Sequence, residues 1–166
     1  MRKAVFPGSF DPITQGHVEI VLRGRAIFDQ IIVAIGVNSH KKYLFSLEDR
    51  LEMLRRCFQA YPQIEVAAFH GLTVDFAREQ GAKFLLRGLR SPQDLSYEQP
   101  IELINKHMAP SLETVHLLSS PETAMISSTI VREVIKYQGK IEGLVPSEIH
   151  DYILDLRYDR EPKERG

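Results

Sequence analysis

Residues 5–17 read VFPGSFDPITQGH, and this stretch decides how the rest of the chain is interpreted. A short apolar run, residues 4–6, stops at Pro7-Gly8, a pair that usually ends a strand. The next residues keep the backbone irregular, and from Gly16 onward apolar residues recur at helical spacing. A strand, a turn rich in Gly and Pro, and a helix start are typical of a parallel α/β sheet. Such a sheet binds its ligand at the carboxyl ends of its strands.

The turn between this strand and this helix is predicted to bind phosphate. A helix that begins near residues 14–16 directs unpaired backbone N–H groups and its positive dipole end toward the turn. Such a helix end attracts anions, and Ser9 and His17 add side-chain donors nearby. The alternative is a tight connection that carries only a surface histidine. The combination of Pro-Gly, Asp-Pro and Gly-His signals in one short segment favours a ligand site.

Composition excludes several classes of protein. The chain has 166 residues, 43% of them hydrophobic and 26% charged, with a net charge of −1. These values predict a globular protein with no general attraction for nucleic acid or membranes. One domain is expected over residues 1–156, followed by a charged tail over residues 157–166. The single cysteine suits a reducing cytoplasm, and the sequence predicts neither a signal peptide nor a membrane span.

Runs of β-forming residues alternate with helical patterns along the chain. The predicted strands cover residues 2–6, 30–37, 64–68, 83–86 and 113–118. The predicted helices cover residues 16–28, 46–60, 74–80, 92–107, 128–138 and 146–156. This alternation predicts a doubly wound, five-stranded parallel sheet with helices on both faces. Thr73 is expected to cap the third helix, Pro100 to kink the fourth and Gly139 to end the fifth.

Polar side chains follow every predicted strand at its carboxyl end. They are Ser9 and His17, Lys41 and Lys42, Thr73, Arg87 and Arg90, and the hydroxyls of residues 127–129. Because parallel strands end at one edge of the sheet, these groups are expected to converge. Four cations on one rim of a nearly neutral chain indicate a polyanionic ligand. The fingerprints G-x-G-x-x-G and G-x-x-x-x-G-K-[ST] are absent, which disfavours a nicotinamide enzyme and a P-loop kinase.

The motifs resemble those of the nucleotidylyltransferase superfamily. Residues 8–17, GSFDPITQGH, are similar to its signature G-[ST]-F-D-x-x-[HT]-x-G-H, and residues 126–129, ISST, to a second signature, I-S-S-[ST]. Pro7 before the glycine, Thr14, the segment Arg87–Arg90 and the pair Tyr97-Glu98 narrow the resemblance to the phosphopantetheine adenylyltransferase family. The resemblance extends over residues 2–152 and implies a Rossmann-like fold.

The resemblance implies transfer of the adenylyl group of ATP to 4′-phosphopantetheine, giving dephospho-coenzyme A and pyrophosphate. The nucleophile is then already a phosphate anion, so the protein supplies position and charge neutralisation rather than a general base. Mg²⁺ is expected on the ATP phosphates rather than in a protein cage, because the sequence has no carboxylate cluster with ligand spacing. A homohexamer and coenzyme A as a feedback ligand are further implications, while nucleic acid and membranes are not expected partners.

The functional residues of the family carry over to positions of this chain. His17 is expected to stabilise the transition state as a neutral donor, held neutral by the helix dipole, and Lys41 and Arg90 to assist catalysis. The residues expected to contact 4′-phosphopantetheine are Ser9, Lys41, Thr73 and Arg87. The residues expected to contact ATP are Ser9, Phe10, His17, Gly88, Leu89, Arg90, Glu98, Thr123, Ala124, Met125, Ile126, Ser127, Ser128 and Thr129.

Two other functions stay open at this point. A nucleotidylyltransferase that acts on nicotinamide mononucleotide or glycerol phosphate more often has histidine where this chain has Thr14, so Thr14 counts against that interpretation. A non-catalytic nucleotide sensor would keep the pocket without needing His17 or Lys41. Both residues are present, which favours an enzyme.

Overall fold

A computed structural model describes residues 1–160 of the chain. Strands and helices alternate from the first strand to the fifth helix, and a sixth helix follows. The strands are β1 (Lys3–Gly8), β2 (Gln30–Gly36), β3 (Ile64–Phe69), β4 (Phe84–Leu89) and β5 (Glu113–Leu118). The helices are α1 (Gln15–Gly24), α2 (Leu47–Phe58), α3 (Thr73–Glu79), α4 (Pro92–Met108), α5 (Ser128–Lys136) and α6 (Ser147–Arg160). The predicted alternation is confirmed.

The strands of residues 1–160 form one parallel five-stranded sheet in the order β3-β2-β1-β4-β5. The chain builds outward from β1 to β3 and then returns to the other side of β1. The direction of winding therefore reverses between β1 and β4, where open α/β sheets bind ligands. These two strands pair at Ala4↔Phe84 and Val5↔Leu85. Because the pairing ends there, the two strands separate toward their carboxyl ends.

β1 continues further than the sequence predicted. Pro7 and Gly8 remain paired with Ala34 and Ile35 of β2, although the strand was expected to end at residue 6. A proline removes a donor from a strand but keeps its carbonyl as an acceptor. That carbonyl accepts a hydrogen bond from Nη1 of Arg87 at 2.6 Å. A side chain of β4 thus bridges to β1 where the strand pairing has ended.

β4 is also longer than predicted, because its last residues stay paired with β5. Arg87, Gly88 and Leu89 lie opposite residues 116–118, so Arg87 projects from a strand rather than from a loop. Gly88 permits the packing of α1 against this part of the strand. A Cβ atom at Gly88 would lie 2.9 Å from Cγ1 of Ile20 on α1, which is closer than atoms of these types approach.

Two expectations about helix ends need correction. Thr73 is the first residue of α3 and not its cap, because the N-cap is Leu72, which makes no side-chain capping bond. The left-handed residue after α5 is Gln138, with φ of 55°, rather than Gly139. α4 runs from Pro92 to Met108 without interruption, with Pro100 inside it. Pro100 is exposed, and a proline there removes one backbone donor from the helix.

The sheet is covered on both faces. On β1, Ala4 and Phe6 face a larger core that is completed by α1, α2, α5 and α6, while Val5 faces a smaller core against α3. Cys57 lies in the larger core, where burial raises the pKa of its thiol to about 12. α6 extends to Arg160, beyond the predicted end at residue 156, and residues 161–166 of the predicted tail lie outside the described residues.

None of the helices in residues 1–160 has both the length and the apolar character that crossing a membrane requires.

Candidate active site

Two cavities open at the carboxyl edge of the sheet and share a wall. One, the β3-side cavity, has a volume of about 270 Å³ and extends past the ends of β2 and β3 to α4. The other, the β5-side cavity, has a volume of about 370 Å³ and lies between the N-termini of α1 and α5. The residues that line both cavities are Pro7, Gly8, Ser9, Arg87 and Glu98. The shared wall therefore stands where β1 and β4 separate.

An ion pair forms the polar part of this wall. Nε of Arg87 donates to Oε2 of Glu98 at 2.7 Å, and Nη2 of Arg87 contacts the other carboxylate oxygen. Both side chains are largely buried, at 28% exposed for Arg87 and 11% for Glu98. Two parallel bonds of this kind hold a guanidinium in one orientation. An anion that binds to Arg87 therefore meets a cation that already has a carboxylate partner.

His17 lies in the β5-side cavity on the first turn of α1. The backbone N–H of Thr14 donates to Nδ1 of His17 at 3.1 Å, and Oγ1 of Thr14 lies 3.0 Å from the same nitrogen. Because Nδ1 accepts a hydrogen bond, the proton of the neutral ring is on Nε2. The ring is packed by Phe10, edge to face with 5.2 Å between centroids. The cavity thus contains one imidazole N–H donor of fixed orientation.

The protonation state of His17 follows from its surroundings. Burial of the ring, together with the charges of Arg90 and Arg87, lowers the pKa of His17 from 6.5 to about 4. From the sequence, the helix dipole was expected to keep the ring neutral. In the structure, the largest cause of the lowered pKa is removal of the ring from water. The ring is neutral at neutral pH and donates from Nε2.

The three hydroxyls at the start of α5 have different roles. Ser127 caps the helix by accepting from the N–H of Ile130 at 3.2 Å, so its own hydrogen is free. Thr129 accepts from Nη2 of Arg132 at 3.1 Å and is likewise free to donate. Ser128 donates to the carbonyl of Pro12 at 2.8 Å, which uses its hydrogen within the protein. Ser127 and Thr129 can donate to a phosphate, and Ser128 ties α5 to the first turn.

The β3-side cavity has a different lining. Lys41 lies on the loop after β2, and no carboxylate of residues 1–156 is within 4.0 Å of its ammonium group, so its charge is not compensated there. Thr73 contributes a hydroxyl, while Phe69 and Ile101 contribute apolar surface. A cation beside an apolar wall suits a ligand with an anionic end and an uncharged arm.

The turn between β1 and α1 is held by hydrogen bonds to three other segments. The carboxylate of Asp11 accepts from the N–H groups of Leu44 and Phe45 at 2.8 and 2.9 Å, which anchors the loop that carries Lys41. Arg50, which is buried, donates from Nη1 to the Ser9 carbonyl at 2.8 Å, and Arg132 donates to the Asp11 carbonyl at 2.8 Å. The turn thus fixes the position of both cavities relative to each other.

Comparison with known proteins gives the family. A family model described as cytidylyltransferase-like matches residues 5–134. The chain is 49% identical to a phosphopantetheine adenylyltransferase of Flavobacterium johnsoniae over 149 residues, which are 90% of this chain and 97% of that protein. It is 47% identical to one of Desulforudis audaxviator, covering 93% and 95%, and 50% identical to one of Christiangramia forsetii, covering 90% and 98%. The chain belongs to the phosphopantetheine adenylyltransferase family.

Membership confirms the resemblance that the motifs indicated, together with the Rossmann-like nucleotidylyltransferase fold. The four residues expected to contact 4′-phosphopantetheine all line the β3-side cavity: Ser9, Lys41, Thr73 and Arg87. Most of those expected to contact ATP line the β5-side cavity: Ser9, Phe10, His17, Gly88, Arg90, Glu98, Ile126, Ser127, Ser128 and Thr129. The structure thus divides the two predicted sets between two adjoining cavities.

Four residues of the predicted ATP set do not line either cavity. Leu89 is buried in the sheet at 6% exposed, and Thr123 is buried at 8% exposed with its hydroxyl donating to Glu19. Ala124 and Met125 lie on the turn that precedes the second signature, and Met125 is exposed. Contacts between their side chains and ATP stay a prediction, because these side chains are outside the walls of the cavity.

The expected convergence of four cations needs correction. Arg87 is paired with Glu98, and Arg90 with Asp94 through contacts of 3.2 and 3.3 Å. Lys42 lines neither cavity. Lys41 is the cation that enters the site without a carboxylate partner among residues 1–156. The anion-binding character of the site therefore depends more on helix N-termini and fixed N–H and O–H donors than on net positive charge.

Several residues of the site were not found from the sequence. Thr14 fixes the ring of His17, and its position before the first helix was a signal that an N-cap rule could have used. Asn38, Tyr43, Asn105 and Asp94 line the cavities without a motif that marks them. In the part of the chain that the structure describes, no group of three or more His, Cys, Asp or Glu side chains is placed to hold a metal ion.

Proposed function

We propose that this protein transfers the adenylyl group of ATP to 4′-phosphopantetheine, giving dephospho-coenzyme A and pyrophosphate. The observation that carries the proposal is the pair of cavities that meet at Pro7–Ser9 and at the ion pair of Arg87 with Glu98. A reaction that joins two anionic substrates needs two sites with one contact point. The high identity to phosphopantetheine adenylyltransferases over most of the chain supports the choice of substrates.

The linings of the two cavities assign the substrates. ATP is proposed to bind in the β5-side cavity, because the N-termini of α1 and α5 present backbone and hydroxyl donors to its phosphates. Phosphopantetheine is proposed to bind in the β3-side cavity, with its phosphate near Lys41 and Arg87. Its uncharged arm would then lie along Phe69 and Ile101.

The chemistry follows from this arrangement. A phosphate oxygen of the acceptor attacks the α-phosphorus of ATP at the shared wall and forms a new P–O bond. The bond from the α-phosphorus to the oxygen bridging to the β-phosphate breaks, and its electron pair leaves with pyrophosphate. No proton has to move. Nε2 of His17 donates to an oxygen of the α-phosphate, where charge increases in the transition state, and Lys41 and Arg90 hold the two substrates.

The metal of the reaction is proposed to arrive with its substrate, as Mg²⁺ bound to the phosphate oxygens of ATP. The carboxylates that line the β5-side cavity, Glu98 and Asp94, are each paired with an arginine, which leaves them poor ligands for a second cation. Bound there, Mg²⁺ would neutralise part of the phosphate charge, while the donors of the β5-side cavity would orient the ATP.

Self-association is proposed from the surface of α4. Large apolar side chains are exposed along this helix: Leu95, Tyr97, Ile101, Leu103, Ile104 and Met108. An apolar surface of this kind supports contact with another copy of the chain, and the resemblance to the family indicates a homohexamer. Light scattering of the purified protein measures the mass directly.

Two further properties are proposed with this function. Coenzyme A contains the product of the reaction, so it is proposed to occupy both cavities and to act as a feedback ligand. A cytoplasmic location is proposed because the free Cys57 thiol suits a reducing compartment. Titration of the reaction with coenzyme A tests the first proposal, with competition against both substrates as the expected pattern.

The deciding experiment mixes the protein with ATP, Mg²⁺ and 4′-phosphopantetheine and measures pyrophosphate and dephospho-coenzyme A by mass spectrometry. In separate parallel reactions, nicotinamide mononucleotide or glycerol 3-phosphate replaces 4′-phosphopantetheine as the alternative acceptor. Turnover with phosphopantetheine, and with neither of the other two acceptors, supports the proposal. Preferred turnover with either alternative would assign a different acceptor, and ATP binding with no turnover of any acceptor would indicate a nucleotide sensor.

A further inference from the structure

Glu19 lies on α1, two residues after His17, and its side chain accepts several hydrogen bonds. Its carboxylate accepts from the backbone N–H of Ser120 at 3.1 Å and from the hydroxyl of Ser120 at 3.1 Å. The hydroxyl of Thr123 donates to the same carboxylate. Nη1 of Arg23 donates to Glu19 at 2.7 Å and to the Leu118 carbonyl at 2.6 Å. The carboxylate thus joins α1 to the end of β5 and to the turn that follows it.

We infer that Glu19 is a positioning residue, which holds the turn over residues 119–125 and the N-terminus of α5 against the helix that carries His17. The inference rests on the proposed function, because it assigns the two halves of the ATP site to α1 and α5. Glu19 lines neither cavity, so it acts through the groups that it holds.

The turn transmits this constraint to the second signature by direct bonds. The carbonyl of Thr123 accepts from the N–H of Ile126 at 2.9 Å, immediately before the hydroxyls of Ser127 and Thr129. α1 also lies beside the turn, since a Cβ atom at Gly16 would be in ordinary van der Waals contact with the Thr123 carbonyl oxygen, at 3.6 Å. A shift of the turn therefore changes where α5 begins relative to His17.

The environment of Glu19 requires an ionised acceptor. All its partners are donors, and the side chain is 17% exposed. Burial alone would raise the pKa of Glu19, but hydrogen bonds from Thr123, Arg23 and Ser120 bring it below its usual value of 4.5. A glutamine at this position would place an NH₂ group against at least one of these donors, which leaves a mismatched contact in a largely buried place.

The test compares Glu19→Gln with Glu52→Gln. Glu52 also pairs with an arginine four residues along, on α2, but is more exposed and lines neither cavity. We expect Glu19→Gln to raise the KM for ATP about tenfold, near the lower end of what a lost charge-assisted hydrogen bond costs. The KM for phosphopantetheine is expected to stay within about twofold, and Glu52→Gln to leave both constants unchanged.

A milder variant keeps the test decisive if Glu19→Gln does not fold. Ser120→Ala removes one hydroxyl and leaves the backbone N–H in place, so a rise of about twofold to threefold in the KM for ATP is expected. Equal changes in the KM of both substrates, or no change in either, would overturn the inference. Calorimetry of ATP binding to the same variants tests the positioning role separately from the proposed reaction, because binding can be measured without turnover. A wild type without turnover would refute the proposed reaction, while tenfold weaker ATP binding in Glu19→Gln would still support the positioning role.

Discussion

The two cavities that meet at the pair of Arg87 and Glu98 present different kinds of donor to an anionic ligand. In the β5-side cavity the donors are held in place by other protein groups, as His17 is by Thr14 and Thr129 is by Arg132. In the β3-side cavity the main cation, Lys41, lies on an exposed loop and has no carboxylate partner among residues 1–156. One side therefore offers fixed dipoles, and the other offers a mobile point charge on a long stem.

This difference matches what each ligand undergoes in the proposed reaction. Charge builds up on the α-phosphate during the displacement, and dipoles that are already oriented stabilise it without reorganisation. The phosphate of the acceptor enters and leaves as an anion, so a lysine can hold it throughout. The comparison predicts that variants on the β5 side change kcat or ATP binding, whereas variants on the β3 side change the use of the acceptor.

The largest effect is expected for His17→Ala. Loss of one fixed donor in the transition state costs about 10²–10³ in kcat, while ATP affinity should change by no more than a few fold. Turnover per folded molecule and calorimetric ATP binding measure the two quantities, with His70→Ala, at an exposed histidine, as the control. A variant that melts at lower temperature but keeps its kcat would show that His17 only caps the turn.

The next effect is expected for Lys41→Ala. Loss of a charge-assisted hydrogen bond costs about 1.5–3 kcal/mol, or roughly 10–150-fold in kcat/KM for phosphopantetheine. ATP binding should change little, because Lys41 lies outside the β5-side cavity. The neighbouring Lys42→Ala is the matched control, since Lys42 lines neither cavity. Equal losses for both substrates would contradict the division between the cavities.

The neutral ring of His17 also predicts how stability depends on pH. The pKa of His17 is lowered from 6.5 to about 4 in the folded state, so between these values the unfolded chain binds the extra proton and the folded chain does not. Stability therefore falls as pH falls through this window. Between pH 7.5 and 5.0, wild type should lose about 2 kcal/mol more than His17→Ala in urea unfolding. Parallel losses in the two proteins would show an ordinary, solvated histidine.

The smallest effect is expected for Arg90→Ala. Arg90 is already paired with Asp94 and is partly exposed, so its removal should weaken ATP binding by only about threefold to tenfold. Phosphopantetheine use should stay within about twofold. Arg78→Ala, in an exposed pair with Asp75, is the control in calorimetry. An unchanged ATP affinity would show that Arg90 does not contribute to ATP binding in the β5-side cavity.

Features that depend on neighbouring residues were predictable from the sequence. The run of β-forming residues over 30–37 forms β2, and the helix predicted over residues 46–60 is α2, which Ser46 and Asp49 cap. The edge of the sheet that gathers the polar residues was also predictable, because parallel strands must end together. The different roles expected of His17 and Lys41 come from the resemblance to the family, because spacing alone does not predict them.

Contacts between distant segments were not predictable. Arg87 lies on β4, which continues past its predicted end, and Glu98 lies on the following helix, α4. The two side chains meet because α4 packs beside the end of β4. Arg50 was indistinguishable from a surface arginine of an amphipathic helix, yet it is buried against the Ser9 carbonyl. Such pairs are set by how helices pack on the sheet, and a single sequence carries no local pattern for that.

The separation of β1 and β4 beyond Val5 has a stereochemical consequence. In the proposed reaction, phosphopantetheine enters from the β3-side cavity and pyrophosphate leaves on the β5 side, so the two lie on opposite sides of the α-phosphorus. A single displacement with this geometry inverts the configuration at that atom. An ATP analogue made chiral by sulfur at the α-phosphorus would thus give a product of opposite handedness, whereas two successive displacements through a covalent intermediate would preserve it.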